Sequence, residues 1–378
     1  MSSYRCTFAV LAVLFGTATS SYALDLQLHG FGDLEGSKTA GSELPINPTI
    51  GNSDSRLEVD PESRLGLNLS ADLGNNLTFA SQLVGQGNSN GTYNLAADWI
   101  FVNYKPIEGL TVRAGRQINP AFLYSEQYRI GFLYPWTRLP YEVYGLYPLI
   151  SFNGLSAIYA YFMHDIQFRA QVFGGGGDVG GNLSATSAVS VSVNDGKGID
   201  LSVSNDNFKV RVGYISSHPT GTVSTGVTIA PSPVGPISGS LTSPLDVGTL
   251  QVFSTGGSFD YKNLLAIVEA NRVLGSGTFY QSGTGAYGTL AYHVLPWLMP
   301  YVTYAWQGNL RGSYFTFPDT SISLTQRTNQ HSDIAGLNFR VSPSAVLKTE
   351  YMRTQENFQD TKQNFGANIF TASVDFVF

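Results

Sequence analysis

Eight charged side chains, Arg64, Arg113, Arg169, Lys209, Arg211, Glu269, Lys348 and Glu350, sit in segments where apolar and polar residues alternate, each on the polar phase. Alternation at period two sends successive side chains to opposite faces of a strand, so these charges belong to one side of their sheet. Charges of both signs around an aqueous gap create a transverse field that orients water and dipolar solutes. For any one of them the plain alternative is a solvated wall charge. Lys348 and Glu350, two residues apart, are also placed to neutralise each other.

Other chemistry is poorly supported. Gly283-Thr284-Gly285-Ala286-Tyr287-Gly288 has dinucleotide spacing, but it reads as a loop entering a strand, with no helix after it to present its N-terminus to phosphate. No Gly-x-Ser-x-Gly elbow occurs. His29, His164, His218, His293 and His331 are scattered without metal-ligand spacing, and His331-Ser332 alone does not make a catalytic dyad. Asp54, Glu58, Asp60 and Glu62 read as a solvated acidic loop rather than a cation site. No enzyme, cofactor or metal centre is expected.

The elements that must carry these charges are strands. From Leu24 to Phe378 the sequence holds sixteen alternating segments of roughly ten residues, separated by gaps that are alternately long and short. The short gaps are Gly74-Asn75-Asn76, Pro106-Ile107-Glu108, His164-Asp165, Asp206-Asn207, Lys262-Asn263, Leu295-Pro296-Trp297 and Pro343. Long Gly/Ser/Asn-rich stretches such as Glu35–Glu62, Asn119–Ser151 and Ser217–Gly248 lie between them. Transmembrane β-barrels keep this rhythm, with short periplasmic turns and long outer loops. A soluble β-sandwich gives no reason for it.

The phase of the alternation sorts the faces. Phe370, Ala372, Val374, Phe376 and Phe378 share one side of the last segment, and Ile369, Thr371, Ser373, Asp375 and Val377 the other. Likewise Leu65, Leu67, Leu69, Ala71 and Leu73 alternate with Arg64, Asn68, Ser70 and Asp72, and Val302, Tyr304 and Trp306 with Tyr301, Thr303 and Gln307. Two segments, Asp98–Lys105 and Leu155–Met163, are apolar on both faces. Trp99, Tyr104, Tyr159, Tyr161, Tyr214, Tyr261, Tyr292, Trp297 and Tyr301 near segment ends suit interfacial girdles.

Residues 1–23 read as a signal peptide. Arg5 supplies the positive region, Phe8–Phe15 the apolar core, and Ser21-Tyr22-Ala23 a small-x-small cleavage site. Cleavage removes Cys6, the single cysteine, and leaves residues 24–378 as one domain without disulfides. The net charge of −6 and the scattered Lys/Arg argue against nucleic acid, which calls for a basic patch.

Three features together carry a family resemblance. The chain opens its first strand with Leu26-Gln27-Leu28-His29-Gly30-Phe31-Gly32-Asp33, closes its fifth with Gly115-Arg116-Gln117 before a long third loop, and stops on the aromatic Phe378. In order and placement they resemble the Gram-negative general porin superfamily, the trimeric sixteen-stranded diffusion channels. The resemblance implies an all-β transmembrane antiparallel barrel in the outer membrane, in contact with its lipid and packed as a homotrimer. It also implies a third loop folded into the lumen and Phe378 as the signal read by the barrel assembly machinery.

A sixteen-stranded barrel is too wide for its own side chains to fill. The third loop, Asn119–Ser151, is the candidate for narrowing it, and its four charges, Glu126, Arg129, Arg138 and Glu142, cancel. With the eight wall charges they make up the expected constriction. The basic excess on the wall leads to an expectation of weak anion preference or neutrality. The expected function is passive diffusion of small hydrophilic solutes and ions. Two alternatives stand beside it: a substrate-specific channel for a sugar or small organic acid, suggested by the loop's aromatic residues, and a non-conducting surface adhesin or structural barrel, suggested by the uncharged Gly/Pro/Thr-rich stretch before Asp246.

Overall fold

The computed structural model describes residues 25–41, 57, 59, 63–87, 93–184, 187–232, 235–245, 247–277, 280–314, 324–359 and 362–378. The leader expected at 1–23 and the acidic residues Asp54, Glu58, Asp60 and Glu62 lie outside them. The described residues form eighteen strands: β1 (Leu26–Gly41), β2 (Arg64–Gly74), β3 (Leu77–Gly87), β4 (Tyr93–Ile107), β5 (Leu110–Ile118), β6 (Ser151–Met163), β7 (Ile166–Ser184), β8 (Ser187–Ser204) and β9 (Phe208–Ser217) in the first half. The second half adds β10 (Pro219–Ser232), β11 (Gly235–Leu245), β12 (Leu250–Tyr261), β13 (Leu264–Gly275), β14 (Tyr280–Tyr292), β15 (Leu298–Tyr314), β16 (Leu324–Ser342), β17 (Ala345–Phe358) and β18 (Gln363–Val377).

Sixteen of these close an antiparallel barrel. Each pairs with its neighbours in sequence, β9 pairs directly with β12, and β1 pairs with both β2 and β18. Closure satisfies every edge, which hydrocarbon demands because it offers an unpaired backbone group no partner. The other two strands correct the sequence reading. Ser217–Gly248 is not a plain loop: β10 and β11 form a hairpin whose first strand continues the sheet from the outer end of β8, through Pro219↔Val193 to Thr225↔Ser187. Val223, Val227, Ile229, Ile237, Leu241 and Leu245 do fall at alternate positions, but the prolines and glycines between them read as loop. Similarly, β1 runs on to Gly41, so Glu35–Gly41 is strand rather than loop.

The short gaps fall at the tight turns between strands. At the first, Asn75 and Asn76 both take positive φ, 51° and 62°, the conformation that lets a two-residue turn follow the strand twist. The faces follow the alternation. Phe370 and Val374 are exposed while Ile369, Thr371, Ser373 and Asp375 are buried, and Leu65 and Leu67 are exposed beside a buried Arg64. Ala71, on the outward phase, is the exception at 6% exposure. The apolar face therefore looks outward to lipid and the polar face inward. Tyr301 departs from the girdle assignment, since it is buried on the inner face, whereas Tyr104, Tyr159, Tyr161, Tyr261, Tyr292 and Trp297 are exposed.

The seam where the chain ends meet is charged. Asp33 on β1 lies opposite Asp375 on β18, an unfavourable pairing of like charges. Arg64, opposite Asp33 on β2, meets it at 2.5 Å, and Lys348 on β17 lies 2.8 Å from Asp375. The row across four strands thus reads plus, minus, minus, plus.

Candidate channel constriction

The third loop, residues 119–150, leaves the barrel wall through the Gly115-Arg116-Gln117 segment. Gly115 has φ of +131°, and a Cβ there would collide with the Ile100 carbonyl and Phe101 on β4. Gln117, fully buried, donates to the Gly154 carbonyl at 3.1 Å and accepts from the Ser156 hydroxyl at 2.6 Å, tying the ends of β5 and β6 together. Beyond Asn119 the loop carries two short 3-10 turns, Ser125–Gln127 and Gly131–Leu133, and one helical turn, α1 (Tyr141–Tyr144).

Inward-facing wall residues hold this loop along β13 to β18 and β1, with one further clamp, Arg211, on β9. Lys348, 1% exposed, donates to the carbonyls of Gly131, Tyr134 and Trp136 at 2.7, 2.8 and 2.8 Å. Glu350 accepts from the Thr137 amide and hydroxyl at 3.2 and 3.1 Å and from the Tyr301 hydroxyl at 2.5 Å. Glu269 accepts from the Leu123 amide at 2.6 Å and from the Tyr144 and Tyr287 hydroxyls at 2.9 and 3.1 Å. Trp136, at 0% exposure, donates to Thr303 at 2.8 Å and meets the Tyr287 ring edge-on at 5.3 Å. Arg138 pairs with Glu35 at 2.6 Å. Arg211 pairs with Asp200 at 2.5 Å and donates to the carbonyls of Pro120 and Ala121.

Glu142 completes this set, accepting from Gln330 at 3.0 Å and from Ser332. Burial pushes its carboxyl above the usual range, against the pull of those two donors. Its backbone carbonyl lies so close to β14 that a Cβ at Gly285 would overlap it. The glycine-spaced stretch 283–288 therefore lies inside a strand rather than in a loop entering one, and Gly285 lets the loop approach the wall.

The other side of the lumen is different. The loop turn around Ser125–Gln127 reaches across to it, where Glu126, 48% exposed, meets Arg169 at 3.2 Å. Arg169 also donates to Gln171 at 2.7 Å and lies 3.4 Å from Asp200. Arg113 donates to Asn103 at 2.9 Å, with its guanidinium 4.0 Å over the Phe101 ring. Lys209 is half-buried on the same wall, within electrostatic reach of Glu126 and Arg169. Arg129 spans from the loop to Asp98 at 3.0 Å and to Gln86.

The twelve expected site residues thus fall into two groups. Arg113, Glu126, Arg129, Arg169 and Lys209 gather on the side of β3 to β9 with partial access to water. Arg64, Arg138, Glu142, Arg211, Glu269, Lys348 and Glu350 are clamps, most of them deeply buried, that fix the loop or its supporting wall. Lys348 and Glu350 do not neutralise each other, because loop groups and Asp375 take up their bonds. Sequence reasoning missed Asp33, Glu35, Asp98 and Asp200 as counter-ions. Glu35 fell in a stretch read as loop and Asp98 in a segment apolar on both faces, and the partners of all four lie on other strands or in the loop.

A closed barrel with an apolar outer belt, a polar interior and a loop bound within it defines a transmembrane β-barrel channel. The chain belongs to the Gram-negative porin family, whose model matches residues 8–359. Its fold is shared with OmpF of Salmonella typhi, solved with daunomycin, at 13% identity and a TM-score of 0.56, covering 93% of this chain and 97% of that one. An anion-selective porin from Comamonas acidovorans aligns at 14% identity and a TM-score of 0.56, covering 94% and 100%. OmpT of Vibrio cholerae, with its loop L8 deleted, aligns at 11% identity and a TM-score of 0.55, covering 93% and 99%. No curated protein sequence matches. The protein is an outer-membrane channel for small solutes.

Proposed function

We propose that small hydrophilic solutes and ions diffuse passively through the gap between the Ser125–Gln127 turn and the wall of β5 to β9, with weak anion preference. The observation that carries this reading is the charge left accessible there: Arg113, Arg169 and Lys209 stand around the single carboxylate of Glu126. Arg64 and Arg211, counted from the sequence as free wall cations, drop out because Asp33 and Asp200 hold them. The basic excess is therefore smaller and more localised than the strand phase implied. Reversal potentials in planar bilayers under a salt gradient test it. Mild anion preference is expected, moving towards cations in Arg113→Ala/Lys209→Ala, and strong cation selectivity in the unmodified channel would overturn the assignment.

Three further proposals concern assembly. The apolar outer wall suits side-by-side packing of three barrels, which three-step channel closures would reveal. Residues 1–23 are removed on export, leaving Leu24 at the mature N-terminus, which intact-mass measurement would detect. Phe378 exchanges backbone hydrogen bonds with Gly30 at 2.7 and 2.9 Å, its ring covers that glycine, and it serves the barrel assembly machinery as a terminal signal.

A further inference from the structure

Arg116 faces out of the barrel. The register around it is unbroken, pairing Ile100↔Arg116↔Asn153 and Val102↔Ala114↔Leu155. Arg113 and Gln117 bond to Asn103 and Ser156 inside, so alternation turns Val112, Ala114 and Arg116 outward. Their neighbours agree, since Ile100, Val102 and Leu155 are exposed on the outer face. On β4 an extra residue at Asp98 shifts the register between Gln82 and Leu83. The bulge lets Asp98 serve both faces: its carboxylate meets Arg129 inside, and its carbonyl accepts from the Arg116 Nε at 3.3 Å outside.

Depth makes this costly. The exposed Tyr104 marks the short-turn end of β4, and the exposed Tyr93 its outer end. Arg116 is level with Ile100, four residues from the first and seven from the second. At about 3.3 Å per residue on strands tilted by about 40°, it lies roughly 10 Å from one rim and roughly 15 Å from the other. An arginine on the lipid face is least tolerable near that midplane. Snorkelling to the headgroups relieves such a charge, but here the side chain is bent onto Asp98 instead. Among the described residues it makes no ion pair, and its cross-strand neighbours Ile100 and Asn153 carry no charge. The outward Arg353 on β17, by contrast, stands directly opposite Asp333 on β16.

We infer that the outer face of β4 to β6 around Arg116 is covered by a second copy of this chain, which brings Arg116 an acceptor, a carboxylate or a carbonyl, at mid-membrane depth. Lipid does not meet that need, because its phosphates stay at the rims and its hydrocarbon accepts no hydrogen bond. The surroundings suit another barrel. Ala97, Ala114 and Gly174 leave room for a second backbone to come close. Leu95 and Leu155 project between them, 76% and 62% exposed, and match the apolar outer wall that a copy offers at the same depth. The inference rests on the proposal that barrels pack side by side, and it adds the face and the residue that they use.

The test uses the full-length protein in outer membranes. The photo-crosslinking residue p-benzoylphenylalanine replaces Leu155 or, as a control, Val302, an exposed residue of β15 on the opposite side of the barrel. Irradiation should join two copies of this chain through position 155 and none through position 302. Separately, Arg116→Met removes the charge and keeps the bulk. The oligomer of this variant should be lost at temperatures that the unmodified oligomer withstands, while heat-modifiable migration still shows a folded barrel. An arginine that merely faced lipid would give the opposite sign, an assembly as heat-resistant as before or more so. If the variant fails to fold, the crosslink decides. Oligomers joined through position 302 and not 155, a product at 155 containing a different protein, or a folded Arg116→Met oligomer of undiminished heat resistance would overturn this inference and leave side-by-side packing standing. Single barrels in the unmodified protein would remove both.

Discussion

The two sides of the lumen use the same residue types to opposite ends. Along β13 to β18 and β1, Lys348, Glu350 and Glu269 are buried and bonded to loop backbone or loop hydroxyls. Along β4 to β9, Arg113, Arg169 and Lys209 keep partial access to water and meet one exposed acid, although Arg211 on β9 is buried against Asp200 and the loop. Burial makes the difference. A charge removed from water needs a complete set of partners, and meeting that need turns it into a clamp. A charge left wet keeps its field available to passing ions. A count of inward-phase charges therefore overstates the channel's electrostatics unless the clamps are first set aside.

The largest effect in breaking this division is expected from Lys348→Met. It strands Asp375 and three loop carbonyls, and removal of one partner of a buried pair costs about 3–5 kcal/mol. The unfolding midpoint should fall by a corresponding amount and current noise should rise, whereas a stability unchanged within error would mean the clamp is idle. Arg211→Ala and Arg113→Ala sharpen the contrast. The first, beside Asp200 and two loop carbonyls, should lower thermal stability and disturb single-channel current; the second should move the reversal potential and leave stability within about 0.5 kcal/mol.

Acidity supplies a milder lever. Glu142 titrates higher in the folded loop than in an unfolded chain, so the fold binds its proton more tightly. Stability from this group is then lost as pH rises through the raised value and is fully present below the ordinary carboxylate range. The unfolding midpoint should increase on acidification across that window, and Glu142→Gln should flatten the increase; a rise of the same size in the variant would assign it to other acids. The smallest effect is expected from Asp54→Asn/Glu58→Gln in the first loop, since salt screens charges beyond about 8 Å at physiological ionic strength. A reversal potential that moved with them would put the narrow point nearer the outer mouth.

Strand number, turn positions and facing were legible because each depends on local period and turn chemistry. Leu65 and Asp375 declare their sides from their immediate neighbours alone. The clamps were not legible, since Asp33 meets Asp375 only when the two ends of the barrel join, and Trp136 finds Thr303 far along the chain. Lys348 and Glu350 look like a pair in sequence, yet loop carbonyls and amides reach them first. The β10–β11 hairpin stayed hidden for another reason: its backbone pairs regularly and its few aliphatic residues alternate, but the prolines and glycines among them read as loop.

The four-charge row at the seam also sets a timetable. Asp33 emerges from the ribosome early, and the residues that make its surroundings tolerable are spread from Arg64 to Lys348. Asp375 belongs to β18, which is synthesised after every other strand, and Lys348 holds the loop from the strand just before it. The loop is encoded in the first half of the chain, while its clamps come from β1, β9, β13, β15 and β16 as well as from β17.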